Sequence, residues 1–146
     1  RTMATGAKSS FGTYLKIGNG GTTETFATIA EVLDIEGPAL EAETEEVTSH
    51  DSTDGWSEHI STILSGGEVS SGGNWLPAHA TQSHSAGLLK DMTSRTLRNF
   101  QLVVPAASAI TWSFAALVTG FEVALPVKGA QRAEITLLIS GKPTLA

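Results

Sequence analysis

The side chains that could do chemistry are four histidines and a run of carboxylates. His50, His59, His79 and His84 include no pair at the i, i+4 spacing of a helical zinc site, and no HExxH motif occurs. Because the chain has no cysteine, it has neither a zinc-thiolate site nor a thiol nucleophile. We therefore expect no metal site and interpret the histidines as surface or interface imidazoles.

The densest group of charges is a cluster of carboxylates between residues 41 and 54. Calcium takes about six to eight oxygen ligands, but the cluster lacks the DxDxDG order of a known calcium loop. An acidic hairpin in solvent is the simpler interpretation. A third is a surface that repels an anion, such as DNA passing close by. The cluster consists of Glu41, Glu43, Glu45, Glu46, Asp51 and Asp54.

Enzyme motifs are missing from the sequence. Neither GxSxG nor SxxK occurs, so a Ser/His/Asp triad would have to assemble across loops. The glycine-rich stretch Gly18–Gly21 lacks the GK[ST] ending of a P-loop and the spacing of a dinucleotide fingerprint, which makes a hairpin loop the simplest interpretation. The sequence thus predicts no catalytic residue, no cofactor and no enzyme activity, with a hydrolase as a distant alternative.

Period-two alternation of apolar residues dominates the chain and predicts antiparallel strands with one buried face. The segment Ser85 to Arg95 instead has helical spacing, with Ser85 as N-cap and Arg95 complementing the helix dipole. Trp56 to Leu64 also fits a helical stripe, although we favour a strand there. The fold class is therefore mainly β, a sandwich or barrel with one short flanking helix. The predicted strands are residues 11–17, 26–35, 40–48, 100–105, 110–118, 121–128 and 133–140.

Length and composition indicate one folded domain. The chain has 146 residues, of which 40% are hydrophobic and 16% charged, below the ~25% charged residues of typical soluble domains. Disorder and coiled coil are both disfavoured. Arg1 to Ser10 has no apolar stretch of signal-peptide length, and no apolar run elsewhere approaches the ~20 residues that cross a bilayer, so we expect no membrane association. A formal charge of −6 argues against general affinity for nucleic-acid phosphates.

The charges are segregated along the sequence. Residues 17–89 hold twelve acids and no lysine or arginine, whereas residues 90–146 hold six basic residues and three acids. Acidic and basic strands that become neighbours would neutralise each other within the monomer. Alternatively, separate acidic and basic surfaces suit head-to-tail contacts between copies, which build rings or filaments. The sequence leaves both interpretations open.

Several motifs, taken in order, resemble a known family. They are FGTYLKIG at residues 11–18, IEGP at 35–38, EVTSHDS at 46–52, GWSE at 55–58 and FQLVVP at 100–105. In order and spacing they resemble the major tail proteins, or tail tube proteins, of long-tailed bacteriophages. The resemblance covers nearly the whole chain and includes no catalytic motif.

This resemblance implies a tail-tube-type β-sandwich or barrel as a single domain over residues 1–146. Residues 1–10 would be a flexible N-terminal arm and residues 40–54 an assembly hairpin or loop. Copies would form hexameric rings that stack into the hollow tail tube, the conduit for DNA ejection, which is part of the virion and is assembled in the host cytoplasm. Partners would be further copies, a tape-measure protein, tail tip or baseplate proteins and a tail terminator, with viral DNA passing through without specific binding. Tube proteins of contractile tails and injection devices share the fold.

The resemblance also suggests roles for particular side chains. A tube that conducts DNA must not bind it, so Glu41, Glu43 and Glu45, which share one face of a strand, are predicted to face the lumen, with Glu122 as a weaker addition. The alternative places them outside or between rings. Because residues 40–53 bury little of their own surface, we expect this segment to be mobile in a free monomer and ordered against a neighbour. Predicted contacts between subunits or rings are Lys8, Lys16, Glu46, His50, Asp51, Asp54, Arg95, Arg98 and Arg132.

A different class of function remains open at this point. A monomeric β-sandwich binding module would recognise carbohydrate or protein through its loops, for example residues 70–84 with Trp75 as a stacking platform. The simpler interpretation of Trp75 is an aromatic side chain that covers a sheet edge.

Overall fold

The computed structural model describes residues 6–105 and 110–146. Seven strands form one antiparallel sheet in the order β2-β1-β7-β8-β9-β6-β3, and β4 and β5 pair separately as a two-stranded hairpin. The elements are β1 (Tyr14–Gly18), β2 (Phe26–Thr28), β3 (Val32–Glu36), β4 (Glu41–Glu46), β5 (His59–Ser65), β6 (Glu68–Asn74), α1 (Leu88–Ser94), β7 (Arg98–Val104), β8 (Ile110–Ala124) and β9 (Arg132–Leu145), with a 3-10 turn at Thr53–Gly55. No helix in these two ranges is long and apolar enough to cross a membrane.

One face of the seven-stranded sheet forms the core. Alternation along the strands puts Leu15, Phe100, Val69 and Leu137 on this face, and all four are fully buried. The rings of Phe100 and its cross-strand partner Phe114 stack, with centroids 6.0 Å apart. Helix α1 packs over β8 and contributes the buried Leu88. The mainly β fold with one short helix is therefore confirmed.

Two strand boundaries differ from the sequence prediction. The predicted break at Gly120 is wrong, because β8 continues through it and keeps pairing with β9 after a register shift between Val118 and Gly120. A bulge of this kind bends a strand without ending it. The predicted strand 26–35 is instead split into β2 and β3, since Glu31 adopts a left-handed conformation with φ of 50°.

The start of the helix also differs from the prediction. Ser85 is not the N-cap: the helix begins at Leu88, and Gly87 takes the cap position with no side-chain hydrogen bond. A Cβ at Gly87 would lie 2.4 Å from the carbonyl carbon of Thr81, so the close approach of the preceding loop requires glycine. Arg95 follows the helix as C-cap in the left-handed region, with φ of 56°.

A buried ion pair ties the helix to the sheet. Asp91 on α1 is 1% exposed and accepts a hydrogen bond of 3.0 Å from Nε of Arg98 at the start of β7. Burial raises the pKa of the Asp91 carboxyl above its ordinary value and outweighs Arg98 and Lys90, whose charges lower it. The second carboxylate oxygen is buried without a hydrogen-bond partner. Arg98, predicted as a contact between subunits, thus has a structural role within the chain.

We predict that Arg98→Met destabilises the fold by about 3 kcal/mol at pH 7, because it leaves the Asp91 carboxylate buried without its cation. The native state already raises this pKa, and losing Arg98 raises it further. Protonation then relieves the unpaired charge, so the penalty shrinks as the pH falls from 7 towards 5. Urea unfolding at several pH values measures this.

The matched control is Arg95→Met, which removes an exposed arginine three residues away. It should change stability by less than about 0.5 kcal/mol at every pH. A penalty for Arg98→Met that is small, or that grows as the pH falls, would show that the ion pair does not hold the helix.

Candidate functional site

The β4–β5 hairpin buries none of its own residues. All six residues of β4 and all seven of β5 are exposed, although the strands pair from Glu41 and Ser65 to Glu46 and His59. Three apolar side chains of β5 face solvent: Ile60, Ile63 and Leu64, at 51%, 66% and 76% exposure. The hairpin therefore presents apolar surface and unpaired strand edges that the chain itself does not cover.

The tip of this hairpin is fixed by its own hydrogen bonds. Ser52 Oγ donates to Glu58 Oε2 at 2.6 Å, and the Glu58 N–H donates to Thr48 Oγ1 at 2.8 Å. Trp56, beside these bonds, is 75% exposed. These hydrogen bonds give the tip a defined shape, and a preformed shape favours a contact surface. The predicted contact residues His50, Asp51 and Asp54 all lie exposed at this tip.

The two predicted groups of lumen residues lie on different sheets. Glu41, Glu43 and Glu45 share one face of β4, as alternation predicts, with Ile60 opposite Glu45. Glu122 lies on β8 in the seven-stranded sheet, on the face away from the core. The structure therefore does not bring Glu122 together with the hairpin acids.

A second acidic surface lies around Glu122 on the open face of the seven-stranded sheet. We call its residues Asp34, Glu122 and Glu134 the sheet-face acids. Glu134 pairs directly with Glu122, and Asp34 continues the same row through Gly72. A hollow of about 300 Å³ between these strands is lined by Asp34, Glu36 and Glu134. Sequence analysis missed these residues because only the register of β3, β6, β8 and β9 aligns them. Like charges opposite each other destabilise a sheet, so this row is costly in the monomer.

The predicted basic contact residues are dispersed. Lys8 is exposed in the irregular segment before β1, and Lys16 lies half-buried on β1 opposite Gln101. Arg132 is exposed at the start of β9, and Arg95 is exposed after α1. Asp91 and Arg98 form the one ion pair within 4.0 Å among residues 6–105 and 110–146. In the described structure the acidic segment is thus not neutralised by ion pairs within the monomer.

The histidines, the carboxylates and Trp75 are the candidates for a metal site or a stacking platform. Across the described ranges, no three His, Asp or Glu side chains are placed to hold a metal ion. His79 Nδ1 is 2.8 Å from Thr81 Oγ1, a contact within its own loop. Trp75 is half-buried, and its indole Nε1 is buried without a hydrogen-bond partner, so the ring is partly enclosed by the described chain and only part of it faces solvent.

The sequence profile of the lambda phage tail tube protein family matches residues 11–146. The chain belongs to this tail tube protein family. The family resemblance noted from the motifs is confirmed, and with it the expectation of a structural protein of the virion tail. A comparison with curated proteins finds no match.

Solved structures with the same fold come from phage-like particles. The tail of an empty gene transfer agent particle, refined with C6 symmetry, has a TM-score of 0.75 at 20% identity and covers 96% of this chain and 99% of that one. The SPP1 tail tube has a TM-score of 0.66 at 12% identity, covering 91% and 75%. A chain of the anti-feeding prophage baseplate has 0.68 at 12% identity, covering 99% and 97%. The tail-tube-type fold is thereby confirmed.

The direct Glu122–Glu134 pair of this tail tube protein generates a prediction. Glu122→Lys should stabilise the isolated monomer by about 0.5 kcal/mol, since it replaces a like-charge pair by an opposite-charge pair. Thermal unfolding at low salt measures this as a rise in Tm of roughly 2 °C, and high salt should reduce the gain.

Glu68→Lys is the control, because Glu68 lies opposite Leu138 rather than opposite an acid. It should leave the Tm unchanged within about 1 °C. An equal rise in both variants would trace the effect to net charge and not to the pair.

Proposed function

We propose that this chain forms hexameric rings that stack into a hollow tail tube, and that the tube conducts DNA out of the virion. The observation that carries the proposal is the family match over residues 11–146. The sixfold symmetry of the gene transfer agent tail and of the anti-feeding prophage baseplate supports a ring of six. The protein acts as a scaffold in this proposal and not as an enzyme.

Open strand edges supply the means of joining copies. The edge strand β3 and both strands of the β4–β5 hairpin carry backbone groups without a neighbouring strand. Pairing such edges between copies closes a barrel, which satisfies these groups and removes an aggregation hazard. We propose that Glu46, His50, Asp51 and Asp54 on the hairpin make these contacts together with Lys8, Lys16, Arg95 and Arg132 from neighbouring copies.

The tube needs a lumen that does not retain DNA. The open face of the seven-stranded sheet is polar and carries the sheet-face acids Asp34, Glu122 and Glu134, which repel phosphates. We propose that this face lines the lumen. The hairpin acids Glu41, Glu43 and Glu45 remain a second proposed lining, and an experiment below separates the two.

The proposed partners follow from a tube with two ends. One end requires a tip or baseplate and the other a terminator, while a tape-measure protein occupies the lumen during assembly. Solved structures with the same fold include chains from the baseplate and from the tube-terminating cap of the anti-feeding prophage, which supports contacts of this kind.

Negative-stain electron microscopy of the concentrated protein tests the proposed function. Hollow filaments built of stacked rings are expected, together with oligomers in gel filtration whose size grows with protein concentration. A species that stays monomeric at every concentration, and also when seeded with preformed tail tips, would overturn the proposal and favour a monomeric binding module.

A matched pair of triple variants identifies the lumen. Asp34, Glu122 and Glu134 are changed to lysine in one variant, and Glu41, Glu43 and Glu45 in the other. If the sheet face lines the lumen, the first variant still forms tubes but delivers DNA poorly, because lysines bind phosphates in a salt-dependent way.

DNA delivery by particles built with each variant, alongside tube formation by electron microscopy, is the measurement. Poor delivery with intact tubes in the hairpin variant alone would assign the lumen to the hairpin. Normal delivery in both would reject both linings.

A further inference from the structure

Phe11 is the most unusual apolar side chain before the first strand. It is 93% exposed, although phenylalanine is normally among the more buried residues. The turn that carries it is held locally: the Phe11 N–H donates to Ser9 Oγ at 3.2 Å, and Thr13 Oγ1 donates to the Ser10 carbonyl at 2.6 Å. Phe11 is therefore presented to solvent on a hydrogen-bonded turn, and residues 6–105 and 110–146 leave its ring 93% exposed.

An apolar groove lies elsewhere on the molecule, between the base of the hairpin and the end of β9. Its volume is about 850 Å³, and its apolar walls are Leu40, Ile63, Leu64, Ile139 and Pro143. Leu40 is 58% exposed and Leu64 is 76% exposed, so these walls face solvent in the monomer. A groove of this size admits an aromatic ring, which buries about 150–250 Å² when enclosed.

Strand register places Phe11 and the groove at different levels along the strands. Phe11 precedes β1, whose first residue Tyr14 pairs with Val103, and Val103 pairs with Thr111 near the start of β8. The β9 residues that line the groove run from Ile139 to Pro143, and Ile139 pairs with Ala116 in the middle of β8. Phe11 and the groove are therefore separate features of one chain, on strands that β7 and β8 keep apart.

The charges around the two features are complementary. Residues 6–16 contain Lys8 and Lys16 and no acid. Glu41 lines the groove, and Glu43 and Glu45 follow it along the same face of β4. The groove lining contains one basic residue, Lys142. A basic segment carrying an exposed ring therefore fits an acidic surface that carries an apolar groove.

We propose that Phe11 of one copy inserts into the groove of the next copy around the ring. The inference rests on the proposed function, because it requires ring assembly. Phe11 and the groove lie on separate parts of one chain, so each copy offers Phe11 to one neighbour and its groove to the other. This contact is head-to-tail, and repeated rotation closes it into a ring.

Because the chain has no native cysteine, single-cysteine variants test this contact directly. Phe11→Cys and Leu64→Cys are prepared separately, mixed, assembled and treated with a short thiol-reactive cross-linker. Both positions are exposed, so the monomer fold is retained. The expected product is a species of twice 15.2 kDa that requires both variants in the mixture.

Two further variants provide the controls. Trp56→Cys at the hairpin tip and Val127→Cys in the β8–β9 turn are also exposed, and Val127 lies at the opposite end of the sheet. Neither should cross-link to Phe11→Cys. Preferential cross-linking of Phe11→Cys to either control position, or to itself, overturns the proposed contact.

A truncation gives an independent measurement. Phe11→Ala should raise the critical concentration for assembly about tenfold, whereas Leu97→Ala, which shortens another exposed apolar side chain, should change it less than about twofold. Normal tubes without the Phe11–Leu64 cross-link would overturn the contact and leave the proposed function intact. Failure of the unmodified protein to assemble at all would overturn both.

Discussion

The central constraint on this chain is that the described part of it buries no residue of the β4–β5 hairpin. An isolated two-stranded hairpin is marginally stable in water, because it buries little apolar surface and leaves two edges open. Here every residue of both strands is exposed, including Ile63 and Leu64. Regular pairing and the hydrogen bond between Ser52 and Glu58 give the hairpin a defined shape, and in the proposed tube neighbouring copies would stabilise it. Its mobility in a free monomer stays a prediction.

The two faces of the seven-stranded sheet differ in burial and in charge. Its core face is covered by α1 and the preceding loop, so the chain itself buries Phe100, Phe114 and Leu137. Its open face carries polar side chains and the like-charge pair of Glu122 and Glu134. Keeping two acids opposite each other costs stability, and the same two charges would repel phosphates if this face lines the proposed lumen.

Local patterns predicted most of the fold, and long-range register accounts for what they missed. Alternation identified the buried faces of β1, β7 and β9 and placed Glu41, Glu43 and Glu45 on one face of β4, because each of these depends on a single strand. The Glu122–Glu134 pair depends on how β8 aligns with β9, and the role of Gly87 depends on the approach of Thr81. Neither can be read from neighbouring residues. A glycine at position 120 favours a break in the strand. Pairing with β9 before and after Gly120 nevertheless keeps β8 continuous.

Segregated charge connects the monomer to its assembly. In the described structure the acids of residues 17–89 make no ion pair within 4.0 Å, because the one such pair joins Asp91 to Arg98. In the proposed assembly these acids would meet basic surfaces of other copies, and such contacts would reduce their mutual repulsion within the monomer. Contacts of this kind are oriented, since an acidic patch repels its own equivalent on a second copy. Repulsion between like patches thus disfavours face-to-face dimers and leaves the head-to-tail contact, which is the geometry that closes a ring.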